Sequence, residues 1–205
     1  MLDRHIHPRV KPALNRLASW LDKPGITPDG LTLTGFAAGV LTLPFLALGW
    51  YPAALVAIVV NRLLDGLDGA LARRRGLTDA GGFLDIALDF LFYALVPFGF
   101  ALAAPAENAL AAAWLLFAFI GTGSSFLAFA ALAAKHNIDN PGYAHKSFYY
   151  IGGLTEGTET IVLFVLCCLF PAHFTLLAWV FGALCWLTTT TRIWSGYLTL
   201  RSLTP

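Results

Sequence analysis

Apolar residues in this chain come in long, nearly unbroken runs. Six of them, 31–50, 52–73, 82–104, 109–133, 149–170 and 174–195, approach the roughly 20 residues a helix needs to cross a bilayer. They are apolar almost all round, which excludes soluble helices that bury one stripe and wet the other. Ahead of the first run the pattern changes. Ile6, Val10, Leu14, Leu17 and Leu21 recur every three or four residues, with Arg9, Lys11 and Arg16 among them. That predicts an amphipathic helix lying on an anionic leaflet. Pro8 and Pro12 break or start it, against its continuity before Lys11. The expected fold is an all-α integral membrane bundle of six transmembrane helices preceded by a cytoplasmic surface helix. It forms a single domain over 1–205, with the arm at 1–24 and the bundle at 25–205.

The connections between runs set the orientation. "GWYP", "APAEN" and "FPAH" carry no Lys or Arg, whereas the intervening segments carry Arg73, Arg74 and Arg75, then Lys135 and Lys146. The N-terminal arm adds Arg4, Arg9, Lys11, Arg16 and Lys23, and the tail adds Arg201. Excess Lys and Arg mark the cytoplasmic side, so both termini are expected there, in the cytoplasmic (inner) membrane of a bacterium. The polar start argues against a cleavable signal peptide. Composition agrees: 58% of residues are hydrophobic and 12% charged, about half the charged share of a soluble domain. A net charge of +1 gives no reason to expect a nucleic-acid partner. Cys167, Cys168 and Cys185 lie inside apolar runs without zinc-type spacing and read as small buried hydrophobes.

In this orientation the intramembrane polar residues fall in the cytoplasmic halves of the spans. Asn61, Arg62, Asp65 and Asp68 lie in span two, Asp85 and Asp89 in span three, Glu156 and Glu159 in span five, and Thr188–Thr191 with Arg192 in span six. This predicts one polar cavity open to the cytoplasm. Carboxylates inside a membrane are costly and mark function. Asp65 and Asp68 are three apart on one helix, and Asp85 and Asp89 four apart on the next, so each pair shares a face. A loop of about eight residues makes the two helices antiparallel neighbours, and four carboxylates converge. Such a cluster calls for a hard divalent cation, Mg²⁺ or Mn²⁺. Gly66, Gly69 and Ala72 leave a flat surface beside it, suited either to helix packing or to a planar ligand. Arg73 suits either a pyrophosphate or the positive-inside pattern. Gly35 and Gly39 form a GxxxG pair that permits close packing.

The order Asp65-x-x-Asp68-Gly69-x-x-Ala72-Arg73, then Gly81-x-x-x-Asp85-x-x-x-Asp89, resembles the signature of the CDP-alcohol phosphotransferases. "ITPDGLT" from Ile26 resembles that family's entry to its first span, with Asp29 where Asn is usual. Seven residues separate Arg73 from Gly81, where the family pattern has eight. The resemblance implies transfer of a substituted phosphate from a CDP-linked lipid, commonly CDP-diacylglycerol, to a small alcohol with release of CMP. It implies two Mg²⁺ or Mn²⁺ ions on Asp65, Asp68, Asp85 and Asp89, with Asp89 also the base. Asp65, Gly69, Ala72 and Arg73 would hold the cytidine diphosphate, and a homodimer is expected.

The acceptor is less legible. Lys135, Lys146 and Arg192 can form an anion pocket, while Glu156 and Glu159 favour a polyhydroxyl or amine group. Two other functions accommodate an aspartate cluster in a membrane. One is a divalent-cation transporter or channel, which demands polar residues along a whole path. The other is an aspartate-rich intramembrane prenyltransferase, which leaves the Gly-x-x-Ala-Arg sequence unexplained.

Overall fold

The computed structural model describes residues 3–136, 138 and 153–202. Among them are eight α-helices and no strand: α1 (Asp3–Leu21), α2 (Pro28–Val40), α3 (Thr42–Ala47), α4 (Tyr51–Arg75), α5 (Asp79–Ala103), α6 (Pro105–Lys135), α7 (Gly157–Leu169) and α8 (Phe174–Arg201). A 3₁₀ turn, Pro171–His173, leads into α8. Four stretches are long and apolar enough to cross a bilayer: Pro28–Ala47, Asp79–Ala103, Pro105–Lys135 and Pro171–Arg201. The other two expected spans differ for identifiable reasons. α4 has the length, at 25 residues, but carries the charges of the aspartate cluster and three terminal arginines. α7 begins at Gly157, later than the expected 149. Glu156 caps it reciprocally with Glu159, whose carboxylate accepts the Glu156 N–H at 3.2 Å, and this capping box fixes the helix start. Residues 149–152 lie outside the described residues.

Local chemistry explains the remaining boundaries. α2 and α3 are two halves of one rod broken at Leu41. Pro44 has no N–H to continue the ladder, and the Leu41 N–H turns back to the Ala38 carbonyl at 3.2 Å. The α4–α5 turn is only Gly76, Leu77 and Thr78, tighter than the sequence pattern suggests. Gly76 has φ +106°, a conformation that favours glycine. Thr78 caps α5 by accepting the Gly81 N–H at 3.1 Å. α1 runs unbroken through Pro8 and Pro12, against expectation. Each proline removes only one backbone bond, and the helix is docked on α4 with Leu14 against Gly66 and Ala18 fully buried. Val10, Leu17 and Trp20 remain exposed on its outer side.

The core sits around Phe92, Val96 and Phe100 of α5, which meet Phe164 of α7 and Phe174 of α8. α4 and α5 make little direct backbone contact, although they are consecutive. The α2–α3 rod packs against both, so the two aspartate helices face each other across a gap. The GxxxG pair is used inside the chain. Asn61 Nδ2 donates to the Gly35 carbonyl at 2.9 Å, and a Cβ at Gly39 would lie 2.8 Å from Phe92 and 2.9 Å from Asn61. At the turn, Asp22 ties α1 to α4. It pairs with Arg75 at 2.7 Å and Arg74 at 3.4 Å, and Arg75 also donates to the carbonyls of Lys23 and Ile26.

Gly39→Ala is therefore expected to lower thermal stability by about 1–3 kcal/mol, the usual effect of overpacking; an unchanged melting temperature in detergent would contradict the close packing of α2 on α4. The Asp22 clamp predicts a pH effect. The hydrogen bond from Arg75, with Arg74 beside it, holds the Asp22 carboxyl below its usual range. A lowered folded-state value means the clamp contributes at neutral pH and loses that contribution as pH falls through the lowered value. Hydrogen-exchange protection over residues 22–27, relative to the unstructured chain at the same pH, should fall on acidification, and in Asp22→Asn at neutral pH; equal protection in mutant and wild type would refute the clamp.

Candidate active site

Three helices supply one cleft. α4 contributes Asn61, Arg62, Asp65 and Asp68, α5 contributes Asp85 and Asp89, and α2 contributes Thr32. The cleft is narrow and partly open to solvent. Spacing on each helix does what the sequence suggests: Asp65 and Asp68 turn to the side that faces Asp85 and Asp89. Carboxylate oxygens of Asp65, Asp68 and Asp85 lie within 4.8 Å of one another. Asp68 is the most buried of them, 4% exposed, and its Oδ2 accepts the Thr32 hydroxyl at 2.5 Å.

Asp89 lines the same cleft but stands outside this trio. Its Oδ1 accepts from Arg62 Nη2 at 2.7 Å, and its Oδ2 faces the Tyr93 hydroxyl at 3.4 Å. Arg62 Nη1 also lies 3.6 Å from Asp65 Oδ2. One guanidinium thus serves a carboxylate from each aspartate helix. It is packed over the rings of Phe92 and Tyr93, with centroid distances of 4.8 and 5.5 Å. All-oxygen donors at this separation suit a hard divalent cation. Like charges this close repel, and a cation between them or a shared proton relieves the repulsion.

The small residues beside the cluster have separate uses. Gly66 receives Leu14 of α1, so its missing side chain serves packing. Gly69 leaves room for Arg73: a Cβ there would lie 3.2 Å from Arg73 Nη1. Arg74 and Arg75 are engaged with Asp22, whereas Arg73 lies exposed along the helix face that leads to Asp65. Ala72 is on the same turn, half-buried.

None of the expected acceptor residues that are described lines this cleft. Arg192 is 6% exposed on α8, donates to the Thr122 carbonyl at 3.0 Å and lies over Phe126 at 5.8 Å. Glu156 and Glu159 cap α7, and Glu156 Oε1 accepts the Gly153 N–H at 3.0 Å. Lys135 is exposed at the end of α6, and Lys146 lies outside the described residues. Of the threonine run, Thr188 accepts from the Leu154 and Thr155 N–H groups at 3.1 and 3.2 Å, pinning the segment before α7. Thr189, Thr190 and Thr191 bond back to carbonyls four residues earlier, which is how helical threonines are satisfied without water. In the sequence Tyr93 carries no mark, Thr32 only closes the ITPDGLT stretch, and Arg62 is one of the polar residues of span two. Tyr93 is four residues after Asp89, and Arg62 three before Asp65, spacings that place each beside its aspartate. Nothing local ties Thr32 to Asp68, which it reaches through the packing of α2 on α4.

Comparison with known proteins agrees with this geometry. Residues 25–194 match the family model of the CDP-alcohol phosphatidyltransferases. The chain is 82% identical over 203 residues to inner membrane protein YnjF of Escherichia coli strain K12, covering 99% of this chain and 98% of that one. It is 42% identical over 98 residues to archaetidylinositol phosphate synthase of Pyrococcus horikoshii, covering 47% of this chain and 52% of that one. The fold resembles that of Mycobacterium tuberculosis phosphatidylinositol phosphate synthase, PgsA1, at 22% identity. The structure with CDP-DAG bound gives a TM-score of 0.67 over 90% of this chain and 93% of that one. The complex with manganese and citrate gives 0.72 over 90% and 88%. With its signature residues gathered in one cleft and the family match spanning most of its length, the chain belongs to the CDP-alcohol phosphatidyltransferase family.

Proposed function

We propose that this protein transfers a phosphatidyl group from CDP-diacylglycerol to the hydroxyl of a small alcohol, releasing CMP. The observation that carries this reading is the meeting of Asp65, Asp68 and Asp85 within 4.8 Å, with Asp89 in the same cleft. A relative of the same fold has been crystallised with CDP-DAG, and again with manganese. The cleft faces the cytoplasm, with six spans and both termini inside, in an inner membrane like that of the 82% identical relative.

Asp65, Asp68 and Asp85, with Asp89, would hold Mg²⁺ or Mn²⁺, which when bound neutralise the donor pyrophosphate and the charge on departing CMP. Arg73, lying over Gly69, binds the pyrophosphate from the rim. Gly69 and Ala72 let the cytidine approach the α4 backbone. Asp89 accepts the proton of the acceptor hydroxyl at its carboxylate. The acceptor oxygen then forms the new bond to the phosphorus that carries the lipid, and the bond from that phosphorus to CMP breaks, CMP keeping the electron pair. Positioning of the two reactants supplies much of the rate. Beyond the cleft the bundle is closed by Phe92, Val96, Phe100 and Leu46. Among the described residues this offers no polar path of the kind a cation channel needs.

Two outcomes test the reading. Purified protein mixed with CDP-diacylglycerol, Mg²⁺ and a panel of alcohols, phosphorylated polyols included, should release CMP and form one new lipid, and Asp89→Asn should abolish both while its melting temperature stays near wild type. Full CMP release by that variant with every productive alcohol would remove Asp89 as the base, and no release by the wild type would remove the transferase reading. Thr32→Val deletes the hydroxyl that orients Asp68 and keeps its shape. Loss of a group that orients a ligand typically costs about 10–100-fold in metal affinity, so Mn²⁺ titration of Thr32→Val should weaken by that order; wild-type affinity would show that Asp68 is positioned without it.

A further inference from the structure

Arg62 is not among the signature residues, yet its guanidinium is the best-fixed group in the cleft. Nε donates to Asn61 Oδ1 at 2.8 Å, and Asn61 is itself anchored to the Gly35 carbonyl of α2 at 2.9 Å. Nη2 donates to Asp89 Oδ1 at 2.7 Å, and Nη1 lies 3.6 Å from Asp65 Oδ2 and 3.5 Å from the Tyr93 hydroxyl. Phe92 and Tyr93 hold the charged plane from one side, a contact that favours a cation over a neutral group. Asn61, Phe92 and Arg62 are 16% exposed or less, so water screens these interactions poorly. An arginine at such a site keeps its charge at every accessible pH.

The consequence concerns metal occupancy. Three carboxylates, Asp65, Asp68 and Asp85, are near enough to share one ion. A second ion that also draws on Asp89 must displace Arg62 from Oδ1 or share the same carboxylate with it through Oδ2, the oxygen that faces Tyr93. It must do so beside a fixed positive charge that already contacts Asp65. Two cations a few ångströms apart repel strongly in a poorly hydrated cleft, so guanidinium and second ion compete for one place.

We propose that Arg62 is a built-in cation of this site. It stands in for a second divalent ion toward Asp65 and Asp89, so that the resting protein takes up one ion on Asp65, Asp68 and Asp85. The second enters only when an anionic group draws Arg62 away from Asp89. Taking the donor to be a CDP-lipid, as in the function proposed above, the arriving pyrophosphate is that group, since guanidinium pairs as readily with phosphate as with carboxylate. Arg62 is then a positioning residue that couples the second ion, and release of Asp89, to the presence of donor.

Mn²⁺ binding to the purified full-length chain, followed by equilibrium titration and electron paramagnetic resonance, tests this without any turnover. Donor-free wild type should bind one Mn²⁺ and give the spectrum of an isolated ion. Arg62→Gln should bind two, with the broadened signal of a spin-coupled pair, and Arg62→Lys should return to one. Two ions in donor-free wild type, or none, would overturn the proposal whether or not the variants fold, as would one ion in a folded Arg62→Gln. Adding CDP-diacylglycerol to wild type should raise the count to two; a count that stays at one while CMP release proceeds would overturn the coupling to donor. Failure of CMP release with every alcohol would sink the function proposed above and leave the donor-free stoichiometry to be judged separately.

Discussion

Four carboxylates gathered in one cleft of an otherwise apolar bundle are the constraint on which the rest of this structure depends. Each costs about 2.5–3.5 kcal/mol at the centre of a membrane helix, less toward the interface, and their mutual repulsion adds to that. The chain meets the cost in three ways. It places them where α4 and α5 enter their shared turn, next to water. It pairs two of them with Arg62. It leaves Asp65, Asp68 and Asp85 close enough for a divalent ion to complete the balance.

The fold around the cluster follows from that requirement. α4 and α5 are consecutive, yet they stay apart, because the cleft lies between them and the α2–α3 rod packs on both. Glycines make this possible. Gly35 and Gly39 let α2 approach α4 until Asn61 bonds to backbone, and that contact brings Thr32 onto Asp68 and holds Asn61 against Arg62. Gly66 admits Leu14 of the surface helix, and the Asp22–Arg75 pair closes the same junction from the other end. The far part of the bundle is dry, built on stacked rings such as Phe100 on Phe174 at 4.4 Å. An apolar half therefore carries a cleft whose lining groups come from α2, α4 and α5.

Much of this was legible in the sequence. The spacing of Asp65 and Asp68, and of Asp85 and Asp89, gave each pair its common face, because helical periodicity is local. The same locality gave the surface helix and most of the apolar rods. Features that depend on tertiary contact were not legible. The break at Leu41 follows from Pro44, but helix α5 passes through Pro97 unbroken, so proline alone does not decide. Glu156 and Glu159, expected within span five as acceptor residues, cap the start of α7. The threonine run read as a cavity wall, whereas its hydroxyls are satisfied within the chain. Thr32 and Gly35 lie about thirty residues before the groups they serve, and no periodicity links them.

A metal centre shared by α4 and α5 is tested most directly by anomalous diffraction from crystals grown with Mn²⁺. An anomalous peak is expected, bounded by the carboxylates of Asp65, Asp68 and Asp85 and lost in Asp85→Ala. Mn²⁺ absent from that position at saturating concentration, with the three carboxylates still in place, would contradict it.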